Sequence, residues 1–190
     1  KRSTPAPTDT LRVMTYNIKF GGARIDFFFD CFGDRVHMTR DESEQNLKAL
    51  AEKIKQYDPH ILLLQEVDLP SKRSGNVNQF ERLMQLADMP YGAYASQWDV
   101  AYIPTEGLGH VNSGNVILSR YPLKNATRYQ LDQMEEQDAV TRFFYLRRNI
   151  LRAEAVIAPG KRVAIYNTHL SAYSKDGSRK ALGQQRLAAS

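Results

Sequence analysis

The chain has 190 residues, enough for one domain with a sizeable core and too few for two typical ones. Hydrophobic residues make up 42% and charged residues 25%, ordinary values for a globular protein, and no apolar run approaches the roughly 18 residues that would cross a membrane. The net charge of +5 tolerates an anionic substrate without requiring one, and Cys31, the single cysteine, rules out an intrachain disulfide.

Residues 1–10, rich in Pro, Ser and Thr, read as a flexible leader. The leader lacks the apolar core of a signal peptide, yet its composition is one left after a secretion signal is removed. That leaves export as one expectation and a cytoplasmic location as the other. Residues 11–190 read as a single domain without internal repeats.

Leu11 to Ile18 alternates with a period of two, which predicts a strand carrying Asn17 at its end, just before Gly21 and Gly22. Asp41 to Tyr57 places Leu47, Leu50, Ala51, Ile54 and Tyr57 at helical spacing, with acidic residues at its start and Pro59 as its stop. Ile61 to Leu64 is apolar on both faces, which predicts a strand covered on both sides that delivers Gln65 and Glu66 at its end. A second helix is expected over Asn78 to Ala87, then strands at Gly114 to Ser119, Asn149 to Ile157 and Arg162 to Leu170. Arg179 to Ala189 reads as the opening of a helix. Strands and helices do not alternate regularly in the second half, which favours an α+β layered sandwich over a doubly wound sheet.

Two aromatic segments read as insertions that could rim a site. Arg24 to His37 contains Phe27, Phe28, Phe29, Cys31 and Phe32, and the triple Phe is expected in the core. Gln97 to Asn112 contains Trp98 and Tyr102. Basic residues are scattered, and no helix-turn-helix or zinc-finger pattern is visible, so sequence-specific reading of nucleic acid is not expected.

Several predicted strands end in polar groups that propensity does not explain: Asn17, Glu66, Asn167 and His169. Groups delivered from the ends of separate strands can converge on one site. A carboxylate beside a carboxamide suits a hard, oxygen-seeking cation such as Mg²⁺ or Mn²⁺. From spacing alone, Glu66 as a water-facing residue and His169 as a satisfied core histidine are the simpler readings.

The local sequences shift that balance. Met14-Thr15-Tyr16-Asn17-Ile18, Leu63-Leu64-Gln65-Glu66-Val67, Gly114-Asn115-Val116-Ile117-Leu118-Ser119-Arg120-Tyr121-Pro122 and Asn167-Thr168-His169-Leu170 occur in that order. Together they resemble the endonuclease/exonuclease/phosphatase superfamily, which includes pancreatic-type deoxyribonucleases, abasic-site nucleases, inositol polyphosphate 5-phosphatases and neutral sphingomyelinases. The resemblance implies a four-layer α/β/β/α sandwich with a site at one edge, and metal-dependent hydrolysis of a phosphoester, a diester in the nuclease-like members.

Carried over by position, Asn17 and Glu66 are similar to metal-site residues, with Glu66 the principal ligand of Mg²⁺ or Mn²⁺. His169 is similar to the histidine that hydrogen-bonds the scissile phosphate. Arg148, with Asn115 and Asn167, falls on the phosphate side, although a solvated surface cation is an equal reading of Arg148. The implied partners are a nucleic acid, a phospholipid head group or a small phosphoester.

Two family motifs have no counterpart here. A Gly-Asp-Phe-Asn-like and a Ser-Asp-His-like segment would follow Thr168-His169-Leu170 and bring the water-activating groups. After His169 the only acidic residue is Asp176, and Lys175 to Gly177 reads as a loop. The sandwich is therefore expected to be incomplete on its C-terminal side and to pair with a complementing C-terminal polypeptide segment. A non-catalytic binding or scaffold module that kept the fold is the competing expectation.

Overall fold

The computed structural model describes residues 5, 10–28, 30, 32–104, 107–131 and 146–170. Most of the leader, Phe29, Cys31, the Lys175–Gly177 loop and the helix expected over Arg179–Ala189 lie outside the described residues.

The order of elements is β1 (Val13–Asn17), a 3₁₀ turn (Lys19–Gly21), α1 (Arg40–Tyr57), β2 (Ile61–Asp68), α2 (Gln79–Leu86), β3 (Tyr91–Ile103), β4 (Gly109–Ser119), β5 (Leu123–Gln130), β6 (Asn149–Ala158) and β7 (Lys161–Thr168). They form two sheets, one ordered β1-β2-β4-β3 and the other an antiparallel β5-β6-β7 meander. Only β1 and β2 are parallel, and α1 makes the crossover between them.

The start of α1 is fixed by a reciprocal cap. The Glu42 backbone N–H donates to Thr39 Oγ1 at 3.2 Å, and Glu42 Oε2 accepts from the Thr39 backbone N–H at 2.8 Å. The capping carboxylate is thus Glu42, and Asp41 stands beside it in the first turn. The helix stops at Asp58, which turns into the left-handed region (φ 49°) ahead of Pro59.

Period-two alternation in β2 divides the core. Leu62 and Leu64 pack beneath Leu47, Ala51 and Ile54 of α1 and Leu83 of α2. Ile61 and Leu63 face the opposite way, into a layer between the sheets with Ala93, Ala95, Ala153, Ala155 and Leu151. Those small alanines let the two sheets approach closely. β2 is buried on both faces, as expected.

Layering is thus helices, first sheet, second sheet, an α+β sandwich as the sequence implied. The outer face of the second sheet carries no helix among the described residues, and β5 is exposed along nearly its whole length. β7 is an edge strand, paired only with β6 among the described residues. β1 is the edge of the first sheet among the described residues, paired there only with β2.

Three sequence expectations need correcting. Gln97 to Asn112 is not an insertion: most of it belongs to the β3–β4 pair, with Trp98 opposite Ser113 and Val100 opposite Val111. β5 has no counterpart in the sequence reading. β2 does not stop at Leu64 but runs on to Asp68, so Glu66 lies inside a strand and not at its end. In the Arg24–His37 segment, Phe27 is in the core against Phe20 and Phe28 packs beneath the β3–β4 hairpin, while Phe32 is fully solvent-exposed.

Candidate active site

A β-bulge aims Glu66. Pairing of β2 with β4 runs Leu64↔Val116 and then Val67↔Gly114, so Gln65 and Glu66 together oppose Asn115. Strict alternation would send Glu66 into the helix-side core with Leu62 and Leu64; the extra residue swings it to the sheet edge instead. Glu66 adopts φ 56°, a conformation that costs a residue with a Cβ on the order of 1–2 kcal/mol. Gly114, next to the bulge on β4, has no room for a side chain: an added Cβ would lie 2.3 Å from the Ala95 carbonyl oxygen. The two strands can close around the bulge only with glycine there.

The edge so formed gathers four of the six residues singled out in the sequence. Asn17 Nδ2 donates to Glu66 Oε1 at 2.9 Å, and Asn17 Oδ1 accepts from the Lys19 backbone N–H at 2.9 Å. His169 Nε2 lies 3.8 Å from Glu66 Oε1, with the imidazole 25% and the carboxylate 32% exposed. Arg148 Nη1 donates to the His169 carbonyl oxygen at 3.2 Å, and Gln97 Nε2 donates to the same oxygen at 3.3 Å. Arg148 is buried and Arg147 exposed, as opposite faces of an extended segment require, so Arg148 is not a solvated surface cation.

Burial holds the His169 pKa below the ordinary imidazole range; the Arg148 cation acts in the same direction and the Glu66 carboxylate opposes both. The ring is therefore neutral near pH 7. Its Nδ1 is buried with no hydrogen-bond partner among the described residues.

The other two residues lie beneath this edge. Asn167 Nδ2 donates to the carbonyl oxygens of Leu64 and Val116, both at 2.8 Å, and its Oδ1 accepts from Gln65 Nε2 at 2.7 Å. Both its amide protons are spent on stitching β7 to the strands that form the bulge. Asn115 is fully buried and donates to Asn149 Oδ1 at 3.2 Å and to the Asn149 carbonyl at 3.3 Å. The structure therefore brings Asn17, Glu66, His169 and Arg148 together and places Asn115 and Asn167 in the supporting layer.

Sequence reasoning passed over Gln65, Gln97 and Asn149, whose amides join the two sheets under the site. It also missed a buried ion pair behind the bulge. Arg73 Nε and Nη2 donate to the two oxygens of Asp68 at 2.9 and 2.8 Å, and Ser74 Oγ adds a third bond at 2.9 Å. The Arg73 guanidinium stacks 4.0 Å above the Phe20 ring. The only sequence signal was an acidic residue two positions after Glu66 in an apolar strand, with an arginine five residues on.

A divalent cation fits the donor set. Mg²⁺ is commonly held by one or two carboxylates and otherwise by water and phosphate oxygens. Glu66 Oε2 has no hydrogen-bond partner among the described residues, and Asn17 Oδ1 keeps a second lone pair beyond its bond to Lys19. No cluster of three or more His, Cys, Asp or Glu occurs among the described residues, so Glu66 is the one carboxylate they bring to this edge.

Residues 14–189 match the model of the Endonuclease/Exonuclease/phosphatase family, and the chain belongs to that family. Its members are metal-dependent phosphoester hydrolases. Among solved structures, the chain is similar to an endonuclease/exonuclease/phosphatase from Beutenbergia cavernae, with a TM-score of 0.63 and 24% identity over 93% of this chain and 41% of that one. A humanized TDP2 from D. rerio gives a TM-score of 0.54 at 14% identity, covering 94% of this chain and 54% of that one. A mannosyl-6-phosphatase from Bacteroides thetaiotaomicron gives 0.51 at 15%, covering 95% and 60%. At these identities the likeness is one of fold. The chain spans about half the length of these structures. No curated protein matches it.

Proposed function

We propose that this protein is a Mg²⁺- or Mn²⁺-dependent phosphoester hydrolase, with a phosphodiester the first expectation and a phosphomonoester the second, and with its reaction centre at the Glu66 edge. The observation that carries the reading is the bulge: the chain accepts a left-handed glutamate in order to present that carboxylate beside Asn17 and His169. Backbone strain of this kind is a common mark of a functional site.

In this reading Glu66 holds the metal ion, with Asn17 orienting the carboxylate and sharing in the ion's shell. The ion, when bound, polarises the phosphoryl oxygen and stabilises charge on the leaving oxygen. His169, kept neutral by burial and by Arg148, donates a ring N–H to a non-bridging phosphate oxygen as charge builds there. Arg148 supplies positive potential beside it. Asn115 and Asn167 serve the phosphate indirectly, by holding the strands that carry Glu66 and His169. The substrate is a nucleic acid, a phospholipid head group or a small phosphoester.

The reading includes a complementing polypeptide segment. The unpaired side of β1 faces a cleft of about 1070 Å³ shared with α1, and Val13, Tyr16 and Tyr57, all largely exposed, line it. Exposed apolar edge strands invite strand addition. Such a segment would also supply the water-activating groups that the resemblance places after the histidine corresponding to His169.

A second reading, a binding module that kept the fold without the chemistry, is favoured by the single carboxylate that the described residues bring to the site. A panel of DNA, sphingomyelin, inositol phosphates and bis-p-nitrophenyl phosphate, assayed with and without Mg²⁺ on the product of the complete reading frame, separates the two. Metal-dependent turnover of at least one substrate is expected, falling about 100-fold in His169→Ala. Tight binding of a phosphate ligand with no turnover would support the module.

A further inference from the structure

Beside the reaction centre lies a second cavity, of about 200 Å³, lined by Arg128, Arg147, Gln97, Gln130 and Asp99. Its construction is specific. Arg128 Nε donates to the Ser96 carbonyl at 3.0 Å, Nη2 to the Arg147 carbonyl at 3.3 Å and Nη1 to Gln130 Oε1 at 3.3 Å. Three neutral acceptors therefore fix the guanidinium plane, and two of its five N–H groups are left over. The Arg147 backbone N–H donates to the Gln97 carbonyl at 2.6 Å, which holds that residue against the same cavity.

Arg128 and Arg147 thus both line one small space, close enough for their charges to act on each other. Neither forms an ion pair with any carboxylate among the described residues. Asp99 lines the cavity but pairs with neither, so the charge of the described lining is net positive. Partial burial, with the Arg147 cation as the second cause, pulls the Arg128 pKa downward. The described residues place these like charges together without a counterion, which is unfavourable, and an anion in the cavity would reverse the sign of that interaction. Arginine forks match phosphate oxygens in geometry as well as charge.

The cavity is tied to the reaction centre through Gln97 and the Arg147–Arg148 step. Gln97 lines it and also donates to the His169 carbonyl, and Arg147 directly precedes Arg148, which donates to the same carbonyl. We propose that this cavity is a second phosphate subsite, so that the preferred substrate carries another phosphate next to the scissile one. The inference rests on the hydrolase reading for what it says of the substrate, but the subsite itself can be tested without turnover. Neighbouring phosphates occur both in a nucleic-acid strand and in a polyphosphorylated small molecule, and the test has an arm for each.

The kinetic comparison pairs a thymidine dinucleotide with and without a 5′-phosphate, and inositol 1,4-bisphosphate with inositol 1-phosphate. In one of the pairs the extra phosphate should raise kcat/KM about tenfold, the worth of one charged hydrogen-bonding contact. The pair that gains identifies the source. Arg147→Gln should raise KM for that substrate about tenfold more than for its single-phosphate counterpart, and should lower the salt dependence of its KM by about one phosphate contact. Asp99→Asn should lower the same KM. Equal response to one-phosphate and two-phosphate substrates, or an Arg147→Gln effect that is the same for both, would overturn the subsite.

Calorimetric titration with inorganic pyrophosphate covers the case in which no substrate turns over. Binding weakened about tenfold by Arg147→Gln then keeps the subsite and removes only the hydrolase reading. Binding that is absent, or unaffected by the substitution, overturns the subsite whatever the turnover.

Discussion

Glu66 carries two demands that conflict. Its carboxylate must reach the edge shared by Asn17 and His169, and the bulge that brings it there imposes φ 56°. The conflict is measurable by truncation. Glu66→Ala and Glu66→Gly both lose the carboxylate and its bond to Asn17, so comparing them isolates the backbone cost. The glycine variant should be the more stable by about 1 kcal/mol in urea denaturation, the reverse of the usual order within a strand. Equal stability would mean that the left-handed conformation carries no strain. Asn167 poses a different test at the same scale. Asn167→Ala would remove the amide donor to the carbonyls of Leu64 and Val116 and leave the Gln65 amide with Thr15 Oγ1 as its remaining side-chain acceptor, at about 1–3 kcal/mol for each buried group left unsatisfied. Unfolding midpoints should fall accordingly; a neutral substitution would remove Asn167 from the supporting layer.

At the scale of elements, the lead into α1 is held by electrostatics as well as by packing. Arg35 Nη2 donates to Glu42 Oε2 at 2.7 Å while Thr39 donates to the same oxygen, and together they hold the Glu42 carboxyl down to about 2. A depressed carboxyl stabilises the fold above its unfolded pKa, near 4.5, and loses that contribution as pH falls towards 2. Glu42→Gln should therefore lower the melting temperature at pH 7 by a few degrees, and the difference from the unsubstituted protein should shrink steadily between pH 4.5 and pH 2. A difference independent of pH would assign the effect to the cap geometry alone.

The elements also show how far the sequence could be read. α1, α2 and β1 were legible because each shows an uninterrupted period of its own, as with Leu47, Ala51 and Ile54, and β2 because its continuous apolar run marks a strand covered on both faces. β5 was not, since Leu-Lys-Asn-Ala-Thr-Arg-Tyr-Gln is exposed at nearly every position and no apolar alternation marks it. Glycines and a proline made the β3–β4 hairpin look like an insertion. Glu66, Asn17, His169 and Arg148 could be picked out, but the bulge that unites them could not: a bulge is a relation between two strands, and its partner Asn115 lies on β4, far along the chain. The amides of Gln65 and Asn167, 102 residues apart in sequence, were hidden for the same reason.

For the whole molecule, the open question is what covers β1. If a complementing segment pairs with that edge in the intact protein, a charge placed there must be buried. Val13→Lys should then destabilise the product of the complete reading frame by about 1–3 kcal/mol, seen as a lower melting temperature. An unchanged melting temperature would mean that the edge faces water, where lysine is the usual guard of an exposed strand.

On the proposed function, the bulge presents Glu66 to a divalent ion that makes phosphoester hydrolysis possible. The most direct measurement is the Mg²⁺-dependent turnover of the best phosphoester substrate by Glu66→Gln beside the unsubstituted protein, after circular dichroism has shown both to be folded. The substitution keeps the size and the hydrogen-bonding reach of the side chain and removes only the charge. Loss of metal-dependent turnover by about 1000-fold or more is predicted, since an electrostatic contact to the reacting phosphate of this kind commonly supplies that factor. Turnover within a few-fold of the unsubstituted protein, with the same Mg²⁺ dependence, would contradict it.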